Sequence, residues 1–492
     1  MSEHLPKTGP ETGRFRETFE RVGAALDDWL AEERVDALRS PTNWQSALVG
    51  PVPRDGIGAD ATLREFIELV LPHGPHLTSE ASWGWITTGP STVPTAVAAA
   101  SAIAAPQRQT LTAFNALEEL ALDWLVELCG LPSQMKGVFA SGGSTANLIA
   151  LGAARQWALE QQGIDPSSDG LGGRELAIYT STQAHHTVQR SAGVLGIGRS
   201  HVRTVATDKE LRLDADALEA AIGADVARGV LPVAVVAAAG TTNTGAIDPL
   251  RRCGEIAKKH GAWFHVDGAY GLPGILDERV APLYDGLELA DSAITDPHKW
   301  LNAPTGIAAT FVRDRSILYR AFTQEPADYL EGAFSDDDVQ VSVDSMGIPY
   351  FDFSVELSAP ARGVLVWSIL RELGAAGVQA RVVQDNDFAR HVARRAAEHP
   401  RLELLLDPVL SICVFRYSQG SEVSEVTVDA VNREILRRLA RETRFIVSST
   451  VVDGTFALRP CFINPRTSLS DVDAFVDTVI ELGDGMDASP GS

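Results

Sequence analysis

Trp263-Phe264-His265-Val266-Asp267-Gly268-Ala269-Tyr270 is a strongly apolar run that ends in a carboxylate. Its aromatic and β-branched residues read as a strand over Trp263–Val266, punctuated by Gly268. The flanking sequence repeats the theme. Strands are predicted over Glu175–Thr180, His201–Ala206, Val233–Ala238, Ser292–Thr295 and Gly306–Val312, with helices between several of them, as at Asp214–Ile222 and Pro249–His260. Strands roughly 20–30 residues apart with intervening helices imply an α/β fold with a mostly parallel central sheet. Such sheets bind ligands outside the carboxyl ends of their strands. Chemistry is therefore expected just after each strand.

Beyond residue 380 the pattern changes. Leu410–Tyr417 and Thr455–Phe462 read as strands, Val428–Arg441 and Ser470–Leu482 as helices, the last capped by Ser470 with Asp473. The expected organisation is an N-terminal helical segment (1–85), a large α/β domain (86–380) and a smaller α+β domain (381–492). Phe15, Phe19, Val22, Leu26 and Leu30 recur at helical spacing with no adjacent core to bury against. That helix is expected to pack on a partner subunit; a monomeric mass in light scattering would contradict this. The acidic run Ser335-Asp336-Asp337-Asp338 reads as an exposed loop.

With 492 residues, 45% of them hydrophobic, the chain can bury a sizeable core. Its net charge of −23 argues against nucleic acid or an anionic membrane as the main partner. Cys129, Cys253, Cys413 and Cys461 lie far apart, without metal-type spacing, and read as buried free thiols of a reducing compartment. The polar start, Met1 to Gly13, shows no signal peptide, and the Ala-rich stretch Ala96 to Ala105 is too short to span a bilayer. A cytoplasmic protein without a metal is the expectation.

Only six of the 42 basic residues are lysine, and one of them, Lys299, follows a strand in Asp296-Pro297-His298-Lys299-Trp300-Leu301. Taken alone it reads either as a surface lysine lying over Trp300 or as an amine nucleophile. Other strand ends favour the second. Val138-Phe139-Ala140 leads into Ser141-Gly142-Gly143-Ser144-Thr145-Ala146-Asn147, and a helix is predicted to open at Leu148. Small residues before a helix N-terminus suit a phosphate, though an ordinary helix cap has the same look. His185 and His186 stand just past another strand, and Gly240-Thr241-Thr242 closes a third. A buried Asp267 needs a cation or good donors. Pyridoxal 5′-phosphate answers all of these needs: a phosphate for the loop, a ring nitrogen for the carboxylate, an aldehyde for the lysine.

With these motifs in view (Ser141–Asn147, Gln183-Ala184-His185, His265–Tyr270 and Asp296–Trp300), the chain resembles the group II pyridoxal-phosphate-dependent amino-acid decarboxylases. This is the family of aromatic-L-amino-acid and glutamate decarboxylases, and the likeness runs from roughly Leu71 to Arg466. The resemblance implies fold type I, the aspartate-aminotransferase-like fold, and a homodimer. It makes Lys299 the Schiff-base lysine, Asp267 the partner of the ring nitrogen and His185 the imidazole stacked on the ring. It places Gly143, Ser144, Asp296 and His298 around the phosphate, and Thr242 and Ala269 beside the ring. Arg362 matches a family arginine. Tyr329, in Asp328-Tyr329-Leu330, resembles the mobile-loop tyrosine that, aided by His185, protonates the substrate carbon after carbon dioxide leaves.

The substrate pocket departs from the pattern. Ser82-Trp83-Gly84-Trp85-Ile86-Thr87-Thr88-Gly89-Pro90 replaces the aromatic-rich segment of the animal enzyme, and His186 stands where that enzyme has serine. Trp85 and Phe114 read either as walls for an aromatic substrate or as core. The expected activity is decarboxylation of an L-amino acid, aromatic by preference. An oxidative aldehyde synthase, which carries phenylalanine in place of Tyr329, and a retro-aldol lyase are the alternatives. A cofactor-binding protein without activity would be expected to lack Lys299 or Asp267, and both are present.

Overall fold

The computed structural model describes residues 15–32, 34–35, 48–87, 89–105, 112–323, 348–418, 420 and 424–487. Seven strands form the large sheet: β2 (Lys136–Ala140), β3 (Leu176–Ser181), β4 (Val202–Val205), β5 (Leu231–Ala238), β6 (Trp263–Asp267), β7 (Ser292–Thr295) and β8 (Ala308–Val312). Their spatial order is β2-β8-β7-β6-β5-β3-β4. Strands β4, β3, β5, β6 and β7 pair in parallel, and β8 runs antiparallel to both β7 and β2. The sheet is therefore mostly parallel, as expected. Because only β8 is reversed, the carboxyl ends of β2, β3, β5, β6 and β7 share one edge with the start of β8. Central strands β5 to β8 are buried almost throughout, which is why they read as apolar runs rather than as alternating ones.

A second sheet has the order β1-β11-β12-β10-β9, built from β1 (Ser82–Trp83), β9 (Leu402–Leu406), β10 (Val414–Tyr417), β11 (Ile446–Val452) and β12 (Thr455–Arg459). Its β1 comes from before residue 86 and pairs in parallel with β11. The boundary expected at residue 380 falls inside the helical run Gly363–Glu398, whose two halves meet at Gly374 with φ 65°. Trp83 is fully buried against Phe445, Phe462 and Phe475, ring centres 5.1–5.7 Å away, and its Nε1–H donates to Thr467 Oγ1 at 2.8 Å. The segment before residue 86 thus supplies core to the C-terminal unit.

Two helix starts differ from expectation. The helix after β2 begins at Gly143, five residues before Leu148, since small polar residues are well suited to a first turn whose N–H groups lack intrahelical partners. The last helix runs Leu469–Asp487 and is capped by Ser468, not Ser470: Asp471 N–H donates to Ser468 Oγ at 3.3 Å, and Ser468 N–H donates to Asp471 Oδ2 at 2.9 Å. That reciprocal pair is a capping box. The helix Phe15–Ala31 forms as expected and buries none of its residues within the chain; Phe15 and Phe19 are about half exposed. All four cysteines are buried and unpaired. Among the described residues, no helix is long and apolar enough to cross a membrane.

Candidate active site

A cavity of about 800 Å³ opens at the shared edge of the large sheet, walled on one side by the second sheet. Ten of the residues singled out from sequence line it: Trp85, Gly143, Ser144, His185, Thr242, Asp267, Ala269, Asp296, His298 and Lys299. Asp267 ends β6, and Asp296 to Lys299 follow β7, its neighbour in the sheet. Thr242 follows β5 and His185 follows β3, so the topology gathers residues that lie far apart in the chain. Tyr329 lies outside the described residues.

Lys299 Nζ is 3.0 Å from Asp296 Oδ2, and the lysine side chain is a fifth exposed. Asp296 itself is buried, and its Oδ1 has no hydrogen-bond partner among the described residues. A Cβ on Gly143 would sit 2.7 Å from Asp296 Oδ2, so only glycine lets the N-terminus of the helix Gly143–Glu160 approach this closely. Gly142, Gly143, Ser144 and Thr145 in that turn all face the cavity. The turn offers small residues and a helix N-terminus, which suit an anion.

Asp267 is buried, with 9% of its surface exposed, and its carboxylate faces neutral donors. It accepts from Asn147 Nδ2 at 3.0 Å and from Ala269 N–H at 3.2 Å, and no cation among the described residues pairs with it. A buried carboxylate held only by neutral donors leaves room for a cationic partner from the cavity side. The ring nitrogen of pyridoxal phosphate is such a partner, so the residues present fit that group. His185 packs beside His186, ring centres 4.2 Å apart, and its Nδ1 lies 2.9 Å from Thr187 Oγ1. Burial lowers the His185 pKa, with Asp267 opposing the shift.

Two of the expected residues are placed elsewhere. Arg362 is buried, paired with Glu356 at 2.8 and 3.1 Å, and donates through Nε to the carbonyl of Gly306 at 3.1 Å. It braces Gly306, which does line the cavity, rather than lining it itself. Phe114 packs, half-buried, against the main hydrophobic core. Sequence reading missed the wall from the second sheet and its helix: Leu436, Val447, Ser448, Ser449 and Arg459. Arg459 is the most informative of these. Buried at 3% exposure, it donates to the carbonyls of Asn243 at 2.9 Å and Trp85 at 3.0 Å, to Ser448 Oγ at 3.1 Å, and to the carbonyl of Thr242. It ties the Trp85 segment and the Thr242 loop to β12. The available signal was an arginine inside the predicted strand Thr455–Phe462, too common a pattern to single out.

Residues 97–418 match the family described as "Pyridoxal-dependent decarboxylase conserved domain". An aromatic-L-amino-acid decarboxylase from Bacillus atrophaeus is 30% identical over 72% of this chain and 70% of its own length. An L-2,4-diaminobutyrate decarboxylase from Acinetobacter baumannii is 27% identical over 91% of this chain and 88% of its own. A crystal structure of Oryza sativa TDC with PLP and tryptamine superposes with a TM-score of 0.88 at 25% identity, covering 98% of this chain and all of that one.

Proposed function

The chain belongs to the pyridoxal-dependent decarboxylase family, and from that premise we propose that it converts an aromatic L-amino acid to the corresponding amine and carbon dioxide. Pyridoxal phosphate as cofactor and amino-acid decarboxylation as reaction follow from the family match and its relatives. The aromatic preference and the roles of individual residues are the proposal. One observation carries the residue roles: Asp267, a buried carboxylate with no cation paired to it among the described residues, shares a cavity with the amine of Lys299 one strand away.

Pyridoxal phosphate, when bound, supplies an aldehyde for an amine and a protonated ring that draws electrons from a breaking bond. Lys299 would hold that aldehyde and later release the product amine. Asp267 would keep the proton on the ring nitrogen. Gly143, Ser144 and His298 would hold the phosphate, with Thr242, Ala269 and His185 flanking the ring. Asp296, 3.0 Å from Lys299 Nζ, would orient the amine until it is displaced. The walls around the reacting carbon would exclude water, which favours loss of a carboxylate charge. Trp85 lines the cavity with its backbone anchored by Arg459, which supports a flat apolar substrate side chain.

Screening the twenty amino acids for carbon dioxide release tests the substrate class. Aromatic substrates are expected to turn over at least about tenfold better than others, on the scale that a well-filled apolar pocket discriminates; preference for a basic or acidic amino acid would overturn this. We assign protonation of the substrate carbon to Tyr329. Tyr329→Phe is then expected to shift the product from amine toward aldehyde, consuming oxygen and releasing peroxide and ammonia. An unchanged amine yield would remove that role. A homodimer in the cytoplasm belongs to the same reading, supported by the exposed Phe15 and Phe19.

A further inference from the structure

Behind the cavity, buried side chains form a hydrogen-bond network with one consistent direction, and we propose that Asn147 is its hub, a positioning residue that sets Asp267 and His185 together. The proposal rests on the roles given to Asp267 and His185 above.

Direction follows from groups that can play only one part. Trp263 Nε1–H can only donate, and it meets Ser292 Oγ at 2.7 Å. The ionised carboxylate of Asp267 can only accept, so the nitrogen of Asn147 faces its Oδ2, at 3.0 Å. The Asn147 oxygen then faces His265 Nε2 at 2.9 Å, and that nitrogen must carry the proton. His265 Nδ1 is left as an acceptor for Ser292 O–H, at 2.8 Å. Burial pushes the His265 pKa down to about 4, which keeps the ring neutral at pH 7. The order is therefore Trp263 to Ser292 to His265 to Asn147 to Asp267, each donating to the next.

The second amide proton of Asn147 reaches Thr187 Oγ1 at 3.2 Å. Thr187 keeps its own hydroxyl proton for His185 Nδ1, at 2.9 Å, and its backbone N–H points to the same nitrogen at 3.4 Å. His185 Nδ1 thus accepts from both, and the single proton of the neutral ring sits on Nε2. That fixes His185 as a donor toward the cavity rather than a base at Nε2. An amide cannot readily pass a proton along, so the network orients groups and does not relay protons. Asn147, Thr187, His265 and Ser292 are all nearly inaccessible to solvent, which keeps water from competing for these bonds.

The test is nitrogen NMR on histidine-labelled protein, free and loaded with pyridoxal phosphate, alongside cofactor titration and kinetics. Wild-type protein is expected to carry the proton of both His185 and His265 on Nε2. Asn147→Asp sets a second carboxylate against His265 and Asp267. It is expected to leave His265 doubly protonated at neutral pH and to weaken cofactor binding by about tenfold or more. Thr187→Val is expected to lower kcat about tenfold with cofactor affinity kept, and Thr187→Ser to restore it. A proton on His185 Nδ1 in the wild type, an Asn147→Asp protein with unchanged His265 signals and cofactor affinity, or a fully active Thr187→Val would each overturn the proposal. Failure of the underlying reading looks different: Asp267→Asn would bind cofactor as the wild type does, with both histidine tautomers as described.

Discussion

Lys299→Ala is expected to leave a protein that folds, loses its cofactor on desalting and decarboxylates about a thousandfold more slowly or worse. Among the described residues, Lys299 is the only lysine lining the cavity, so none of them can replace its amine. Lys299→Arg separates charge from chemistry. A guanidinium preserves a cation for Asp296 but cannot lose a proton to attack an aldehyde. The arginine variant should therefore keep more fold stability than the alanine variant, which strands the buried Asp296, while being equally inactive. Visible absorbance after gel filtration and carbon dioxide release in a single turnover are the measurements. Retained colour together with turnover in Lys299→Ala would end the assignment.

Asp267→Asn is expected to cut kcat by a factor of a hundred to several thousand, from the about 3–5 kcal/mol that accompanies loss of one partner of a buried charge pair. The sign on stability should be the opposite in the absence of cofactor. There Asp267 is a buried charge held, among the described residues, by Asn147 and the Ala269 N–H, so removing the charge should leave the melting temperature unchanged or raise it. Adding pyridoxal phosphate should then raise the melting temperature of the variant much less than that of the wild type, because a weaker ligand stabilises less. An equal rise in both would show that the carboxylate does not face the ring.

Much of this was legible in the sequence because the central strands are buried on both faces, and a β strand that ends in Asp267 or runs straight into Asp296 advertises a polar residue at its carboxyl end. Lys299, Asp267, His185 and the Gly143 turn were found this way, each within a few residues of a predicted strand end. The wall from the second sheet was not legible. Arg459 acts through backbone carbonyls of Trp85, Thr242 and Asn243, which no side-chain pattern records. Asn147 closes the Ser141–Asn147 motif just before the predicted helix start, where it reads as one more small polar residue, and its partners His265 and Thr187 belong to a strand and to the start of another helix. Arg362 shows the converse: a residue resembling a site arginine that braces Gly306 through one carbonyl.

The two-residue strand Ser82–Trp83 has a bearing on when the protein becomes competent. It pairs with Ile446 and Val447, and Trp83 bonds Thr467, 384 residues further along. Contacts of such long sequence separation close large loops and form late. On the ribosome, the Trp85 wall must wait for nearly the whole chain to emerge before β11 and Arg459 can fix it. The large sheet can assemble earlier, since its strands are complete by residue 312. On the roles proposed above, the residues that hold the ring would thus be in place while the substrate side still lacks its wall, an order of maturation in which cofactor capture precedes substrate selection.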